Sequence, residues 1–424
     1  MNAVQPLLKI LRSRKMAALL LLGFASGLPL FLTSRTLQAW MKDEQVDLGV
    51  IGWFSLIGLP YTLKFLWAPL LDRFVPPFLG RRRGWLLITQ VGLMVAIATM
   101  ALQQPKQALQ LLAINAIIIA FLSATQDIAS DAYRTDVLKP AELGIGASTW
   151  VLGYRVAILI SGSLALIFAD YISWQLVYLL LAGLMMIGVL TTLWAPEPSD
   201  RGAPPQTLED AIYLPFKEFF GRSGIKSATL VLLFVLFYKL GDALVGNMAV
   251  PFLLDIGYSK TEIGAIQGTF GFLATTLGVV GGGILLTRIG INRALWLFGG
   301  LQALSNLGYF SLTLLPKATQ WLLVAITLEN FCAGLVTAAF VAYLMSLCNH
   351  AFTATQYALL SSLMASSTII LAAPAGDLAK ATGWSVFFLL TLLASLPGLL
   401  LLPLVVPWNA VLPVQLPMSD ENLS

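Results

Sequence analysis

Apolar runs long enough to cross a bilayer recur twelve times along this chain, at roughly 17–40, 49–71, 85–103, 108–133, 146–169, 174–195, 227–254, 260–287, 294–315, 321–347, 354–377 and 384–406. A helix rises 1.5 Å per residue, so about 20 apolar residues match a hydrocarbon core about 30 Å thick. No other feature constrains the fold so tightly. Inside lipid, every backbone N–H and C=O must be satisfied within the protein, which leaves helices and closed barrels. Only 11% of the 424 residues are charged, against about 25% in soluble domains. With 58% hydrophobic residues and mean hydropathy +0.83, the chain reads as an all-α integral membrane protein with 12 transmembrane helices.

Orientation follows from Lys and Arg. With the N-terminus in the cytoplasm, the inner segments hold 16 of the 25 basic residues, the outer loops 5 and the spans 4. Both termini are therefore expected in the cytoplasm, in a multi-pass inner-membrane protein. The basic stretch Lys9 to Lys15 resembles a signal peptide, but Pro29 and Arg35 interrupt the pattern and no cleavage site follows. The first run is thus read as an uncleaved helix. The pI near 9.0 reflects these inner loops, not a nucleic-acid partner.

The segment 196–226 carries Pro196, Pro198, Pro204, Pro205 and Pro215 and separates six runs from six. Its part from Leu208 to Gly221 has the pattern of an amphipathic helix lying along the inner membrane surface. The expected organisation is a six-helix bundle over 1–195, a linker over 196–226, a second bundle over 227–407 and a tail over 408–424. The halves echo each other. Leu48-Gly-Val-Ile51-Gly52 recurs as Thr261-Glu-Ile263-Gly264, and Pro140 to Ser148 lies 213 residues before Thr353 to Ser361. Two pseudo-symmetric six-helix bundles with a midplane site between them is the major facilitator architecture. Asp72-Arg73 followed by Gly80-Arg81-Arg82-Arg83-Gly84 is a loose form of that superfamily's loop motif, which assigns Asp72, Arg73 and Arg81 to gating. A plain positive-inside loop explains the arginines equally well.

The stretch Ser123 to Asp136 is the most polar part of any span. Asp127 and Asp131 are four apart and share a helix face. A charge at bilayer depth costs about 2.5–3.5 kcal/mol on insertion scales, so such residues face a cavity or a partner. Arg155 lies at similar depth on the antiparallel fifth span and is expected to pair with Asp127. Lys239 and Asp242 are three apart and are placed to pair locally. Arg35 and Lys64 are read as snorkelling toward opposite interfaces. Glu329 is placed near the outer interface with Asn330, and Asp377 likewise. Gln126, Asn247, Gln267 and Asn330 suit hydroxyl and amide groups of a ligand. Tyr61, Tyr133, Tyr154 and Tyr238 suit stacking on a sugar ring, or plain packing. Gly23, Gly27 and Pro29 interrupt the first span, and Gly241, Gly246 and Pro251 the seventh. Matched interruptions point either to a substrate pathway or to packing.

Several functions are excluded by what is missing. No phosphate loop is present, so ATP does not drive the process. His350 is the single histidine, which removes a Ser-His-Asp set and a His-rich zinc site. Cys332 and Cys348 are sixteen apart on one helical run, too far for a disulfide. No cofactor is expected beyond an ion gradient. Asp127 is assigned as proton carrier, with Asp131 or Arg155 setting its affinity, because desolvation favours the neutral acid and a nearby cation the anion.

With these residues in view, the chain resembles the AmpG muropeptide permeases of Gram-negative inner membranes, within the major facilitator superfamily. The stretches that carry the resemblance are Leu22-Gly-Phe-Ala-Ser-Gly-Leu-Pro-Leu30, Lys64-Phe-Leu-Trp67, Gly80-Arg-Arg-Arg-Gly-Trp85, Gln126-Asp127, Thr135-Asp-Val-Leu138, Val151-Leu-Gly-Tyr-Arg155, Ala195-Pro-Glu-Pro198, Tyr238-Lys-Leu-Gly-Asp242, Glu329-Asn-Phe331 and Ala354 to Ser361. The resemblance implies proton-coupled import of N-acetylglucosaminyl-1,6-anhydro-N-acetylmuramic acid, with or without its stem peptide. It also implies a role in cell-wall recycling and, indirectly, in β-lactamase induction and antibiotic resistance. The polar positions it carries over are Lys64, Gln126, Asp127, Arg155, Lys239, Asp242, Glu329 and Asn330. The chain departs from some family members by stopping soon after Pro407, which leaves the twelve-helix core intact. The partners expected are the muropeptide, protons and the lipid bilayer, with the protein a monomer. The rival readings are a proton-coupled carrier of another bulky solute, such as acetyl-CoA, a siderophore or a drug, and a membrane enzyme, for which a nucleophile–base pair is lacking.

Overall fold

The computed structural model describes residues 13–46, 54–198, 205–372 and 374–408. The repeat segment Leu48–Gly52, the basic residues Lys9, Arg12 and Arg201 and most of the 408–424 tail lie outside the described residues.

Among the described residues, nine helical stretches are long and apolar enough to cross a membrane. They trace twelve passes once their bends and two fragmented passes are followed. The first pass is Arg14–Leu32 continued by Arg35–Asp43, and the third to sixth are Gly80–Ala101, Leu109–Val137, Leu143–Ala169 and Trp174–Trp194. The seventh pass leaves the helix Leu208–Phe237 beyond a sharp bend at Gly224 and continues as Leu240–Asp255. The eighth and ninth share the helix Phe272–Leu312, folded at Gly290. The tenth is Thr319–Leu347 and the twelfth Trp384–Val405. Gly224 and Gly290 both adopt φ +78°, a region open to glycine and closed to most side chains.

Two passes depart from the continuous runs expected. The second, read as 49–71, is a chain of short pieces: 3₁₀ turns at Phe54–Gly58 and Lys64–Leu66 and short helices at Leu59–Leu63 and Ala68–Arg73. Pro60 and Pro69 each remove a backbone donor there, which the hydrophobic pattern alone does not register. The eleventh is Thr353–Ser366, a π-helical turn at Ser367–Leu371 and Ala375–Thr382. A matching π-helical turn, Leu159–Leu164, interrupts the fifth pass, its counterpart in the other half. The repeat extends to a tryptophan tie. Trp174 Nε1 donates to Asp43 at 2.9 Å, and Trp384 Nε1 donates to Asp255 at 3.0 Å. Each closes the end of the first helix of a half onto the start of its last.

Glycines set the closest packing. A Cβ on Gly23 or Gly27 would meet the carbonyls of Trp150 and Tyr154, and one on Gly153 would meet that of Leu20. The first and fifth passes thus touch backbone to backbone. Gly23 and Gly27 are packing positions, the second of the two readings open from sequence. Gly241 packs the same way against Thr391 and Ser395 of the twelfth pass.

The apolar core divides into three. One cluster joins residues of both halves, from Met16 and Ile128 to Phe340 and Tyr357, at the end where the basic loops and both described chain ends lie. The other two each belong to one half, around Trp40 and Tyr178, and around Phe252 and Phe388. The halves are therefore sealed together at the basic end and packed only internally toward the far end. Apolar packing between the halves is thus concentrated at the basic end.

Candidate functional site

The fourth pass supplies the most polar surface of the first half. Its residues Ser123, Gln126, Asp127, Ser130, Asp131 and Arg134 recur at helical spacing on one face. Asp127 lies about 15 Å from the helix end at Val137, at 1.5 Å per residue, hence near mid-depth. Its Oδ1 is buried without a hydrogen-bond partner, as are the Tyr61 hydroxyl, Ser123 Oγ and Gln126 Oε1. Tyr61 sits beside Asp127 and Ser123, and Tyr154 lies in the field of Asp127 and Asp131 while stacking on Trp150 at 5.2 Å. Gln126 is wholly buried, and its Nε2 donates to Ser26 Oγ at 3.3 Å.

Asp131 is the junction of this surface. Its two oxygens face different cations: Lys64 Nζ at 3.5 Å and Arg134 Nη2 at 2.9 Å. Lys64 is thus buried and paired, which corrects its reading as a snorkelling side chain. The broken second pass makes this possible, because the 3₁₀ turn at Lys64–Leu66 swings the amine onto the fourth pass. Arg134, 1% exposed, lies flat against Trp150 with its Cζ 4.3 Å from the ring centre and donates to the Tyr357 hydroxyl of the eleventh pass at 2.5 Å. A buried guanidinium stacked on indole keeps its charge with part of its hydration replaced by the ring face.

There is a second ionic group. Arg155 does not pair with Asp127. Glu329, on the tenth pass, is the carboxylate whose field reaches it, without closing an ion pair. Lys239 and Asp242 do not close a local ion pair either. Lys239 Nζ donates to Thr337 Oγ1 at 3.4 Å and shares a common field with Asp242, Arg155 and Glu329. Helical spacing alone permitted the local pair; the break between Phe237 and Leu240 turns Lys239 off the regular face. Glu329 lies ten residues inside the tenth pass, about 15 Å deep, so it is not interfacial. Asn330 orients it, donating to Glu329 Oε2 at 2.9 Å and accepting from Thr275 at 3.0 Å. Gln267 is half-buried in the π-helical turn Ile266–Gly271 of the eighth pass. Asn247 instead ties the seventh pass to the eleventh, donating to the Ala372 carbonyl at 3.1 Å. The two groups, Lys64–Asp127–Asp131–Arg134 and Arg155–Lys239–Asp242–Glu329, each hold two cations and two carboxyls.

The halves interlock at the basic end. The helix Thr353–Ser366 starts at Phe352, which has no side chain able to cap it. Asp72, fully buried, does so from the other half: its Oδ2 accepts from Thr355 N and Thr355 Oγ1, both at 2.8 Å, and its Oδ1 from Ala354 N at 3.3 Å. Free N–H groups and the positive helix end favour a carboxylate there. Arg82 bridges Asp72 at 2.9 Å and Asp136 at 2.7 Å. Asp136 in turn accepts from Thr353 at 2.7 Å and contacts His350 at 3.2 Å. Asp72 thus sits at the interlock with Arg82, and Arg73 lies over Phe74 at 5.6 Å. Beside it the fifth and eighth passes meet at Gly144 and Gly283, where a Cβ on Gly144 would come within 2.7 Å of Leu286 Cβ.

Arg82, Asp136, Arg134, Tyr357 and Thr355 all lie in stretches singled out by sequence, yet their roles were not read. Asp136 is a further charge in the same polar run, though on another face of the helix, and that charge is the one local signal available. The Asp72 cap joins residues 283 apart, which no local pattern encodes.

A sequence profile of the Major Facilitator Superfamily matches residues 19–373. The Escherichia coli K12 protein described as an anhydromuropeptide permease is 49% identical over 397 residues, covering 93% of this chain and 80% of that protein. An uncharacterised Haemophilus influenzae protein is 40% identical over 404 residues, covering 93% and 95%. Among solved structures, the proton:xylose symporter XylE matches with TM-score 0.71 at 12% identity, covering 93% and 95%, a likeness of fold.

Proposed function

The chain belongs to the major facilitator superfamily, as a multi-pass membrane transporter, and on that premise we propose that it imports anhydro-muropeptides for peptidoglycan recycling. The observation that carries this reading is the 49% identity to the E. coli anhydromuropeptide permease along 93% of the chain. The cargo is N-acetylglucosaminyl-1,6-anhydro-N-acetylmuramic acid with or without stem peptide. It moves from periplasm to cytoplasm across the inner membrane of a Gram-negative bacterium, by proton-coupled alternating access in a monomer. The basic end is the cytoplasmic one, on the bias of 16 inner against 5 outer cations. The conformation is then outward-open.

The chemistry of the two groups fits such a solute. Its stem-peptide carboxylates suit Lys64, Arg155 and Lys239, its amides and hydroxyls suit Gln126, Gln267 and Asn330, and Tyr61 and Tyr154 offer faces to its sugar rings. Charge balance supplies the coupling. With every group ionised, the Lys64–Asp127–Asp131–Arg134 set is neutral. A proton on Asp127 leaves it with one uncompensated cation, which an anionic cargo neutralises. Burying an unpaired charge is costly, so the carrier occludes either empty or with proton and cargo together. Asp127 suits the proton because its Oδ1 lacks a hydrogen-bonding partner, whereas Asp131 is held by two cations. Cargo that draws Lys64 from Asp131 loosens the Arg134–Tyr357 contact and hence the interlock.

The test is uptake of labelled anhydro-muropeptide into liposomes containing this protein alone. Accumulation under an inward proton gradient, abolished by an uncoupler, is expected. Gradient-independent equilibration would remove proton coupling, and no uptake would remove the cargo assignment.

A further inference from the structure

The helix that precedes the seventh pass has three faces. Ala211, Pro215 and Phe219 are buried, and Phe219 belongs to the core that joins the halves at the basic end. The same side is tied by hydrogen bonds: Gln356 Nε2, on the eleventh pass, donates to the Pro215 carbonyl at 3.1 Å and to Glu218 at 2.7 Å, and Arg222 donates to the Leu347 carbonyl at 2.8 Å. A second face carries Asp210, half-buried, and Lys217 and Gly221, both exposed.

The third face has no partner among the described residues. Leu208, Ile212 and Phe216 follow at intervals of four and stay 47%, 50% and 37% exposed, with Tyr213 beside them at 60%. Large apolar side chains in one stripe mark an interaction site. The bend at Gly224 turns this helix directly into the seventh membrane pass, so its height is that of the bilayer surface. The segment 208–226 holds three acids, Glu209, Asp210 and Glu218, against three bases, Lys217, Arg222 and Lys226. Its net charge is zero, which removes anionic headgroups as the main attraction.

We propose that the stripe Leu208–Ile212–Phe216 with Tyr213 seats in the headgroup–acyl boundary of the adjoining leaflet, as apolar insertion, so that the bilayer braces the helix bonded to Gln356. Through Gln356 the brace bears on the eleventh pass, whose first turn Asp72 grips. This rests on the chain being a membrane transporter, not on its cargo, so failure of muropeptide uptake leaves it standing.

The test places single cysteines at Ile212, Phe216, Asp210 and Lys217 in a Cys332→Ala/Cys348→Ala chain, labels them with an environment-sensitive dye and reconstitutes the protein in lecithin vesicles. An interfacial helix buries its apolar face about 5–10 Å into the leaflet, so acyl-chain nitroxides are expected to quench the Ile212 and Phe216 labels at least about threefold more than the Asp210 and Lys217 labels, with iodide showing the reverse. Equal iodide quenching at all four positions overturns the proposal. Self-quenching that rises with protein-to-lipid ratio overturns it in favour of a second copy as occupant. A steep rise with anionic lipid content overturns the apolar basis. Should the variants misfold, the unaltered chain in nanodiscs with diazirine-tailed lipid serves: photo-adducts within Leu208–Phe220 are expected, and their absence overturns the proposal.

Discussion

At the scale of single residues, the fourth pass carries the argument. Asp127 and Asp131 look alike in sequence, four apart on one face, and the structure separates them by their neighbours. Asp131 is clamped by Lys64 and Arg134; Asp127 has a free buried oxygen beside Tyr61 and Ser123. Asp127→Asn therefore removes the titrating group while keeping shape. Gradient-driven uptake is expected to fall at least about tenfold, some 1.4 kcal/mol, while exchange of cargo down no gradient persists. Full gradient-driven uptake by the variant would reassign the proton. Arg155 makes a second case. Arg155→Ala removes one of the two cations, the other being Lys239, whose field reaches buried Glu329, and activity is expected to fall, with Arg155→Glu/Glu329→Arg recovering part of it. A double variant no better than either single would show that the two do not act as a pair. That these side chains mattered was legible from charge in an apolar run. Which one meets which was not, because contacts such as Arg134–Tyr357 cross the two halves.

At the scale of elements, close approach of helices decides stability. The first and fifth passes meet through Gly23, Gly27 and Gly153, where a side chain would run into backbone. Gly153→Leu is expected to lower the thermal midpoint in detergent sharply, since overpacking typically costs about 1–3 kcal/mol and here no flexible atom can yield. Gly183→Ala on the sixth pass, where nothing lies within 4 Å, is the control and is expected to match or exceed the unaltered chain. Equal losses in both would mean that backbone contact is not the cause. The runs of the remaining passes were legible because lipid demands length and apolarity of each helix separately. The fragments of the second and eleventh passes were less so, because prolines and π-helical turns disturb the backbone without disturbing hydrophobicity.

At the scale of the molecule, the halves are latched at one end. Asp72 holds the eleventh pass by its first backbone N–H groups, and Arg82 ties that carboxylate to Asp136. Asp72→Asn keeps a hydrogen-bond acceptor and loses the charge that both Arg82 and the helix end attract. The population is expected to shift toward the conformation closed at the far end. Spin labels at Leu102→Cys and Leu314→Cys, exposed at the far ends of the third and ninth passes, are then expected to report a shortened distance. An unchanged distance distribution would show that the latch does not set the resting state. Twelve passes, two halves and the basic end were all readable beforehand, since each follows from local composition and its repetition. By itself the amino-acid order determined where helices run, which end is basic and which positions carry charge into an apolar environment, because lipid judges every span alone. Only the tertiary structure decided that Lys64 meets Asp131, that Arg134 meets Tyr357 and that Asp72 caps a helix 283 residues away. Those contacts arise from how two bundles are set against each other, and bundle placement is a property of the packed whole.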